Sequence, residues 1–281
     1  MLVMSIAYRG DGSDRPTTIP LPPAEAPVFR GFRMRKHWRY VGIWSPAVSI
    51  CAARVRVGPL AQEFWGVWHR EAGDLTEHSR LRAGRVHLRP GRLEVADRRG
   101  TIDVTLEPTS ASACEVVTPA GRAWTWTRKQ AGTARGTAVV NGRQVHVDGL
   151  ALLEDNDGYH PRLTHWWWAA GAGRLTDGRT AMWNAVVGLN DTLPHIENTV
   201  WIDGDPRPIG LVTIAKDLTR VTFDDGAVLR FREEAERATR VDFFVVRSAY
   251  RQPFGTFAGT LPGGLELSEG YGVMEDHRAV W

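Results

Sequence analysis

The sequence predicts an all-β protein made of antiparallel strands, and three observations lead to this prediction. From Trp38 onward, short runs rich in Val, Ile, Thr, Trp and Phe follow one another, and many alternate between apolar and polar residues. Dipeptides typical of tight turns separate several of these runs. Helical periodicity is nearly absent, because its best candidates, Glu233–Ala238 and Pro59–Phe64, would form only one or two turns.

The chain opens with a segment that has neither strand nor helix periodicity. Residues 11–28 hold five prolines, so we predict an extended arm before regular structure begins near Phe29. The predicted strands then follow in chain order: WRYVGIW, VSICAARVRV, EFWGVWH, TIDVTLE, AWTWTRK, QVHVDGLALL, LTHWWWAA, TAMWNAVVGL, TVWIDG, RVTF, AVLRF, RVDFFVVRSAY and GTFAGTL.

Four dipeptides predict hairpin turns between these strands. They are Asn141-Gly142, Asp177-Gly178, Asp203-Gly204 and Asp225-Gly226. Asn, Asp and Gly tolerate the positive φ angles that two-residue hairpin turns require. The strands on either side of each turn are therefore expected to pair antiparallel.

Roughly fifteen or more short strands in one chain must close or stack, because open sheet edges invite aggregation. This number indicates a large barrel, a pair of barrels or packed sandwiches. The stretch at residues 130–137 divides the strands into two similar groups. We therefore predict an arm at residues 1–28, one barrel-like domain at 29–133 and a second at 134–281.

Composition favours a well-packed protein with no nucleic-acid partner. With 281 residues and 43% hydrophobic content, the chain can bury a substantial core, which argues against disorder. Its 35 basic residues include only three lysines (Lys36, Lys129 and Lys216), and arginine is spread over nearly every segment. Acidic residues reduce the formal net charge to +3, and no basic face stands out. The 12 tryptophans are more informative than the high arginine content.

The sequence predicts a cytoplasmic protein without a membrane span. The apolar run within Met1–Gly10 is too short for a secretory leader, and no stretch approaches roughly 18 consecutive apolar residues. Cys51 and Cys114 lie in apolar runs and are expected to be free, buried thiols. The basic, aromatic stretch Phe29–Tyr40 leaves open a peripheral contact with a membrane surface or a phosphate, although a charged edge strand explains it as well. The oligomeric state is not determined by these patterns.

The richest combination of polar and aromatic residues occupies residues 154–184, EDNDGYHPRLTHWWWAAGAGRLTDGRTAMWN. On the predicted strand at residues 163–170, alternation places His165 and Trp167 on one face and Trp166 and Trp168 on the other. One of these faces must be buried. If the barrel is hollow, an inward His or Trp would line its lumen.

Two sets of candidate residues follow from this segment, from two later ones and from the earlier run AWTWTRK. Glu197 in HIENTVW and Glu275 in YGVMEDH lie at strand ends among apolar residues, where an acid is either at a solvated rim or inside a pocket. The acid–base candidates are Asp157, His160, His165, Glu197 and Glu275. The candidates for ligand contact are Trp124, Trp126, Tyr159, Trp166, Trp168, Trp183 and Asn184.

Three interpretations of these residues remain open on the sequence alone. The tryptophans can be core residues with the histidines satisfied in turns. They can line a site for an apolar small molecule, with a few polar groups that orient it. Such a pocket can also hold a protonated carboxylic acid that donates a proton to an alkene or carbonyl, while indole faces stabilise the resulting cation.

No cofactor or metal is expected. The glycines at residues 171–174, GAGR, lack both the G-x-G-x-x-G spacing and a following helix, so a nucleotide loop is not predicted. His160 and His165 do not have the spacing of a helical H-E-x-x-H zinc motif.

Six blocks of sequence carry a resemblance that covers most of the chain. They are WRYVGIWSP, RVRVGPLAQEFWGVW, DGYHPRLTHWWWAAGAGR, ENTVWIDG, QPFGTFAGTLPGG and GYGVMEDH. In this order they resemble the bacterial family called domain of unknown function 2804, from about Arg30 to Trp281. As the name of that family says, its activity is not established.

More distantly, the chain is similar to the lipocalin-like group that includes carotenoid 1,2-hydratases, tocopherol cyclases and some Diels–Alder cyclases. This resemblance implies two β-barrel domains with an apolar ligand site between or within them. Those hydratases and cyclases carry an Asp-His-x-Trp type block on a central strand. The nearest equivalent here is THWWW at residues 164–168, and no acid directly precedes its histidine.

The residues and the resemblance together predict binding of a terpenoid, polyene or lipid-like molecule in an aromatic-lined cavity. An enzyme of this kind would be a cofactor-independent hydratase, isomerase or cyclase. Asp157, or another acid such as Glu154, would supply the proton, and His160 or His165 would orient it. Two other functions predict different cavities: a non-catalytic carrier would have no buried carboxylate facing its ligand, and a structural protein would have filled barrels and no cavity.

Overall fold

The computed structural model describes residues 6–109, 113–243 and 246–281 of the chain. Within these ranges the chain forms 22 strands, and every strand pair is antiparallel. The same residues contain no helix, which confirms the predicted all-β fold. No helix of this described part is therefore long and apolar enough to cross a membrane.

The strands divide into an earlier and a later group. The earlier strands are β1 (Tyr8–Gly10), β2 (Phe29–Arg30), β3 (Arg33–Met34), β4 (Lys36–Trp44), β5 (Val48–Val57), β6 (Leu60–His69), β7 (Asp74–Arg80), β8 (Val86–Arg89), β9 (Arg92–Ala96), β10 (Gly100–Pro108), β11 (Cys114–Ala120), β12 (Ala123–Val140) and β13 (Arg143–Gly158). The later strands are β14 (Leu163–Leu175), β15 (Thr180–Val187), β16 (Thr199–Ile202), β17 (Asp205–Pro208), β18 (Val212–Ile214), β19 (Arg220–Phe223), β20 (Val228–Phe243), β21 (Val246–Leu261) and β22 (Leu265–Val280).

The first sheet has the strand order β7-β6-β5-β4-β13-β12-β10-β9-β8. Strand β12 is long enough to pair with both β10 and β11 along one edge, and β1 extends the sheet beyond β11. The sheet curls until β8 packs against β5 and β6. Glu63 of β6 ties the segment before β8 to this part of the sheet, because its carboxylate accepts hydrogen bonds from the backbone N–H groups of Gly84 (2.9 Å) and Arg85 (2.8 Å).

The second sheet has the order β17-β16-β15-β14-β22-β21-β20-β19-β18 and curls in the same way, so that β18 packs against β14 and β15. Strands β2 and β3 form a separate small hairpin. The chain passes from the first sheet to the second at residues 159–162. The predicted domain boundary between residues 133 and 134 falls inside β12, a strand of the first sheet.

Each curled sheet encloses a core that is filled by side chains. Ile50 and Val104 belong to the first core, and Trp183 and Phe257 belong to the second. A third apolar cluster, which includes Trp168, lies between the outer faces of the two sheets. The central strands are therefore buried on both faces, and the architecture is a pair of lipocalin-like half-barrels packed face to face.

All four predicted turn dipeptides connect strands that pair with each other. Asn141 and Gly142 have φ angles of 50° and 74°, and Asp203 and Gly204 have φ angles of 51° and 89°. These turns match the two-residue hairpin type that Asn-Gly and Asp-Gly favour.

Both helix candidates were wrong, because tertiary pairing overrides a weak local preference. The first lies within β20, which pairs with β21, and most of the second lies within β6. Arg251 of β21 forms ion pairs with Glu233 and Glu236. The charged residues of this run therefore pair across a sheet and not along a helix. The edge-strand interpretation of residues 29–40 was also wrong for β4, which lies between β5 and β13.

The N-terminal arm is not uniformly extended, because residues 11–28 contain bends and turns. Regular structure also begins before Phe29, since β1 pairs with β11. The arm covers part of the first sheet. Ile19, Leu21 and Ala26 are buried in a cluster that also contains Trp124 and Trp126. As predicted, both cysteines are free and buried.

Candidate functional site

A cavity of about 360 Å³ lies between the outer faces of the two sheets. Strand alternation builds it: Val41 and Ile43 of β4 point into the first core, whereas Trp38 and Tyr40 point toward the second sheet. Its volume is within the range of roughly 300–1,000 Å³ that is usual for small-molecule sites. Of the predicted tryptophans, Trp166 and Trp168 therefore border a cavity between two filled barrels and not the lumen of a hollow one.

Aromatic and aliphatic side chains form most of the cavity wall. The principal ones are Trp38, Tyr40, Val55 and Phe64 from the first sheet, and Trp166, Trp168, Tyr250 and Trp281 from the second. Leu60 and Leu81 also line the cavity, yet they are 56% and 61% exposed, so they mark its opening to solvent. The cavity thus suits a ligand that is largely apolar.

A buried ion cluster occupies one part of the wall. The Nζ atom of Lys129 lies 2.7 Å from Oε2 of Glu154 and 3.2 Å from Oε1 of Glu197. Trp38 Nε1 donates to Glu154 Oε1 (2.9 Å), and Asn190 Nδ2 donates to Glu197 Oε2 (2.8 Å). These partners occupy the carboxylates and the ammonium group, so the cluster holds its charges in fixed positions.

The electrostatics of this cluster keep Lys129 charged. Burial alone would lower the pKa of Lys129, but the carboxylates of Glu154 and Glu197 hold it above its usual value. Burial raises the pKa of Glu197. The ammonium group also lies 5.0 Å from the ring centre of Trp168, a cation–π distance that stabilises the same charge.

Unlike Glu154 and Glu197, Glu275 forms no ion pair with Lys or Arg among the residues that the structure describes. Trp166 Nε1 donates to its Oε1 (2.8 Å), and Gln252 Nε2 donates to its Oε2 (3.0 Å). Burial raises the pKa of Glu275 to about 7, although these two hydrogen bonds oppose the change. The carboxyl group therefore exchanges readily between its acid and base forms near neutral pH, which a proton-transfer catalyst requires.

His277 stands beside this acid on the same strand. Its Nδ1 atom lies 3.9 Å from Oε1 of Glu275, and its Nε2 atom lies 2.8 Å from the Ser248 hydroxyl. Burial lowers the pKa of His277 to about 3, so its imidazole is neutral at physiological pH.

Four predicted site residues line the cavity: Trp166, Trp168, Glu197 and Glu275. Asn184 lies behind them. Its side chain accepts a hydrogen bond from Trp168 Nε1 (2.7 Å) and donates one to the backbone oxygen of Glu197 (3.0 Å), so it fixes the orientation of the indole.

The other acid–base candidates lie outside the cavity lining. Asp157 is fully buried and accepts two hydrogen bonds from Arg35, including one of 2.7 Å from Nε. His160 is also fully buried, packs 5.0 Å from Trp38, and has a pKa that burial lowers to about 3. His165 lies on the opposite face of β14 from Trp166, with its Nε2 2.8 Å from Oδ1 of Asp276.

The remaining aromatic candidates are core residues. Tyr159, Trp124 and Trp126 belong to the cluster under the N-terminal arm, and the Tyr159 hydroxyl donates to the backbone oxygen of Pro27 (2.6 Å). Trp183 is fully buried inside the second sheet, where it packs 5.1 Å from Phe257.

Several cavity residues were not among the sequence candidates, most importantly Tyr40, Lys129, Arg237 and Tyr250. Lys129 carried a detectable signal, since it is one of three lysines in an arginine-rich chain and follows an apolar, tryptophan-rich strand. Arg237 lies in a charged run that gives no indication of its 1% exposure. Within the described residues, no group of three His, Cys, Asp or Glu side chains forms a metal-ligand set.

Comparison with known proteins identifies the family of the chain. The family described as domain of unknown function (DUF2804) matches residues 80–281. The chain belongs to this family. No curated protein sequence matches it.

Solved structures show a similar fold at low sequence identity. Kievitone hydratase from Nectria haematococca has a TM-score of 0.54 and 11% identity, over 86% of this chain and 88% of that chain. A protein assigned as AttH from Nitrosomonas europaea has a TM-score of 0.48 and 15% identity, over 90% and 99% of the two chains. CghA with Sch210972 has a TM-score of 0.41 and 11% identity, over 88% of each chain. The hydratase supports the lipocalin-like fold assigned above.

Proposed function

We propose that this protein binds an apolar, terpenoid-, polyene- or lipid-like molecule in the cavity and transfers a proton to or from one of its carbon atoms without a cofactor. Hydration, isomerisation and cyclisation all include such a step. The observation that carries the proposal is a buried acid, Glu275, in an aromatic-walled cavity of ligand size.

The environment of Glu275 supports this chemistry. Because burial brings its pKa to about 7, the carboxyl group can donate a proton and accept it back at neutral pH. Trp166 and Gln252 hold the two oxygens in place without neutralising them. The indole faces of Trp166 and Trp168 line the same space and would stabilise positive charge on the ligand.

The polar lining favours an enzyme over a carrier. A carrier needs an apolar cavity and gains nothing from a buried acid, because burying an ionisable group costs free energy. Here Glu154, Glu197 and Glu275 all face the cavity. Kievitone hydratase, which by its name catalyses a hydration, is compatible with this choice because it shares the fold.

Solvent deuterium provides the test, since every version of the reaction moves a proton through Glu275. The protein is incubated in D₂O with a defined mixture of terpenoid alkenes, polyenes and enones, and deuterium incorporation is measured by mass spectrometry. We expect incorporation with the wild-type protein and a loss of about 10²–10⁴-fold in Glu275→Gln, the usual contribution of one general acid or base.

Asp276→Asn is the matched control, because Asp276 is adjacent in sequence but contacts His165 instead of the cavity. It should incorporate deuterium at the wild-type rate. Circular dichroism checks that both variants fold. If folded Glu275→Gln labels the mixture as fast as the wild type, or if no component is labelled by any of the proteins, the proposed function is refuted.

A further inference from the structure

A hydroxyl, an imidazole and a carboxyl group follow one another along one wall of the cavity. They belong to Ser248 of β21 and to His277 and Glu275 of β22, and all three residues line the cavity. The Ser248 hydroxyl oxygen lies 2.8 Å from Nε2 of His277, and Nδ1 of the same ring lies 3.9 Å from Oε1 of Glu275. The hydroxyl and the carboxyl group therefore lie at opposite nitrogens of one imidazole.

Strand register brings these three side chains together. Tyr250 pairs with His277, so Ser248, two residues earlier on β21, is a diagonal neighbour of His277 on the same face of the sheet. Glu275 and His277 also share that face, because side chains two residues apart on a strand point to the same side. Asp276, which lies between them in sequence, is outside the cavity lining. The arrangement is thus fixed by the backbone.

Ser248 and His277 have surface that a ligand can reach. Ser248 is partly exposed, and the side chain of His277 is 15% exposed. Both residues line the cavity on the face that points into it, so this surface is accessible from there. The ring centre of His277 lies 4.2 Å from that of Trp166 and 5.2 Å from that of Tyr250, and this packing holds the imidazole in position.

The cavity lining includes a second serine that lacks this environment. The hydroxyl of Ser79 lies 3.5 Å from Nη2 of Arg237 and contacts no histidine among the described residues. A serine hydroxyl is a weak nucleophile until an adjacent base takes its proton. Beside Ser248 such a base is in place. Burial lowers the pKa of His277 to about 3, so its imidazole is neutral and Nε2 can accept the proton.

We propose that Ser248 is the nucleophile of an ester-hydrolysing site, with His277 as its general base and Glu275 as the carboxylate that orients the imidazole. The substrates are esters whose apolar acyl chain lies against the aromatic wall. A serine, a histidine and a carboxylate in this order act together on many unrelated folds. The distance of 3.9 Å between His277 and Glu275 agrees with this role, since catalytic hydrogen bonds often tighten only when the substrate binds. The activity goes beyond the proposed function, because it cleaves an acyl–oxygen bond and needs no proton transfer to carbon.

The steps balance with water as the second reactant. Ser248 Oγ forms a bond to the carbonyl carbon of the ester while His277 Nε2 takes its proton, and the carbonyl π pair moves onto oxygen. That pair returns as the acyl–oxygen bond breaks, and the departing alcohol takes the proton from His277. Water then attacks the acyl group on Ser248, with His277 taking one proton from the water and returning it to the serine. The products are a carboxylic acid and an alcohol, and the Glu275 carboxylate stabilises the imidazolium formed at each step.

Two ester substrates and one covalent probe test the inference at pH 8.0, where Glu275, with a pKa of about 7, is mainly ionised. Hydrolysis of 4-nitrophenyl hexanoate and 4-nitrophenyl acetate releases nitrophenolate, and an alkyl fluorophosphonate reacts with an activated serine by losing fluoride. We expect mass spectrometry of the digested protein to find the phosphonate on Ser248 and not on Ser79. We expect kcat/KM to be roughly tenfold higher for the hexanoate than for the acetate, because its additional methylene groups are buried in the apolar cavity.

Three variants separate this mechanism from adventitious acylation of the protein. Ser248→Ala should abolish both labelling and catalysed hydrolysis, and His277→Gln should lower kcat/KM by about 10²–10⁴-fold, the usual contribution of a general base. Ser268→Ala is the matched control, since the Ser268 hydroxyl donates to the backbone oxygen of Arg174 (3.0 Å) and lies outside the cavity lining. It should hydrolyse the hexanoate at the wild-type rate. Circular dichroism checks folding; Ser248→Ala should fold, because it removes one hydroxyl from a partly exposed residue.

The inference is overturned if folded Ser248→Ala or folded His277→Gln hydrolyses the hexanoate as fast as the wild type, or if the probe reacts with other residues instead of Ser248. It is also overturned if the wild type hydrolyses neither ester above the uncatalysed rate. Deuterium incorporation is measured separately. If the wild type incorporates deuterium but Ser248 is not labelled, the proposed function stands and the ester-hydrolysing site fails. If Ser248 is labelled and its loss abolishes hydrolysis while no deuterium is incorporated, the reverse holds.

Discussion

Replacement of Glu275 by glutamine tests whether the acid in the cavity is held near neutrality. Burial raises its pKa from 4.5 to about 7; Glu154 adds to the rise and Lys129 opposes it. Between these two pH values the folded protein keeps a proton that the unfolded chain has lost, so this group makes stability fall as pH rises. At about 1.4 kcal/mol per pH unit, the full penalty is roughly 3 kcal/mol and is present above pH 7.

The assay is urea unfolding of the wild type and Glu275→Gln at pH 5.0 and pH 8.5. Glutamine has no such penalty, so the stability of the variant relative to the wild type should increase by about 2–3 kcal/mol between these pH values. The comparison cancels the titration of His160 and His277, which both proteins share. It also cancels any pH-independent cost of the amide. Glu266→Gln, an exposed position on the same strand, should give no such increase.

A relative stability that stays constant from pH 5.0 to pH 8.5 would refute this reasoning. Glu275 would then ionise as it does in water, and the claim that burial prepares it for proton transfer would fail. A relative stability that decreases as pH rises would show that the carboxylate form is favoured by the fold, which contradicts the same claim.

Three further predictions concern residues around the site. Lys129→Met should lower the free energy of unfolding by about 3–5 kcal/mol in urea titrations, because two buried carboxylates lose their cation; a loss below about 1 kcal/mol contradicts this. Burial lowers the pKa of His160 to about 3, so this histidine alone should cost the wild type about 2 kcal/mol between neutral pH and pH 5, as the unfolded histidine takes up a proton. His160→Phe should flatten the pH profile of thermal unfolding, and an unchanged profile refutes the assignment. Asp157→Asn should lower the free energy of unfolding, because it removes the carboxylate partner of Arg35, but deuterium incorporation should persist. If the folded variant loses incorporation, Asp157 takes part in the reaction.

The strand content and the turns were predictable because they depend on local chemistry. Alternation and β-branched residues indicated most strands, and Asn141-Gly142 and Asp203-Gly204 adopt the positive φ angles that those residues allow. The charged run in β20 was the exception. Its helical appearance gives way to pairing with β21, an interaction between segments that no local pattern reports.

Four of the ten acid–base and tryptophan candidates line the cavity, namely Glu197, Glu275, Trp166 and Trp168, and β14 illustrates why the others do not. Trp166 and Trp168 face the cavity, whereas His165 lies on the other face, against Trp167 at 3.9 Å. Because this strand is largely buried on both faces, alternation separates the two sets of side chains but does not say which set faces a ligand. On β13, Glu154 likewise lines the cavity, whereas Asp157 does not.

By itself the sequence determined an all-β antiparallel chain rich in buried tryptophan, since periodicity and turn chemistry act over a few residues. Only the tertiary structure decided that the cavity lies between two filled half-barrels. It also decided that Tyr40 and Tyr250, which are 210 residues apart, would share that cavity with Glu275. The physical reason is that this site forms where the outer faces of two curled sheets meet, and that contact depends on the curvature and packing of the whole fold.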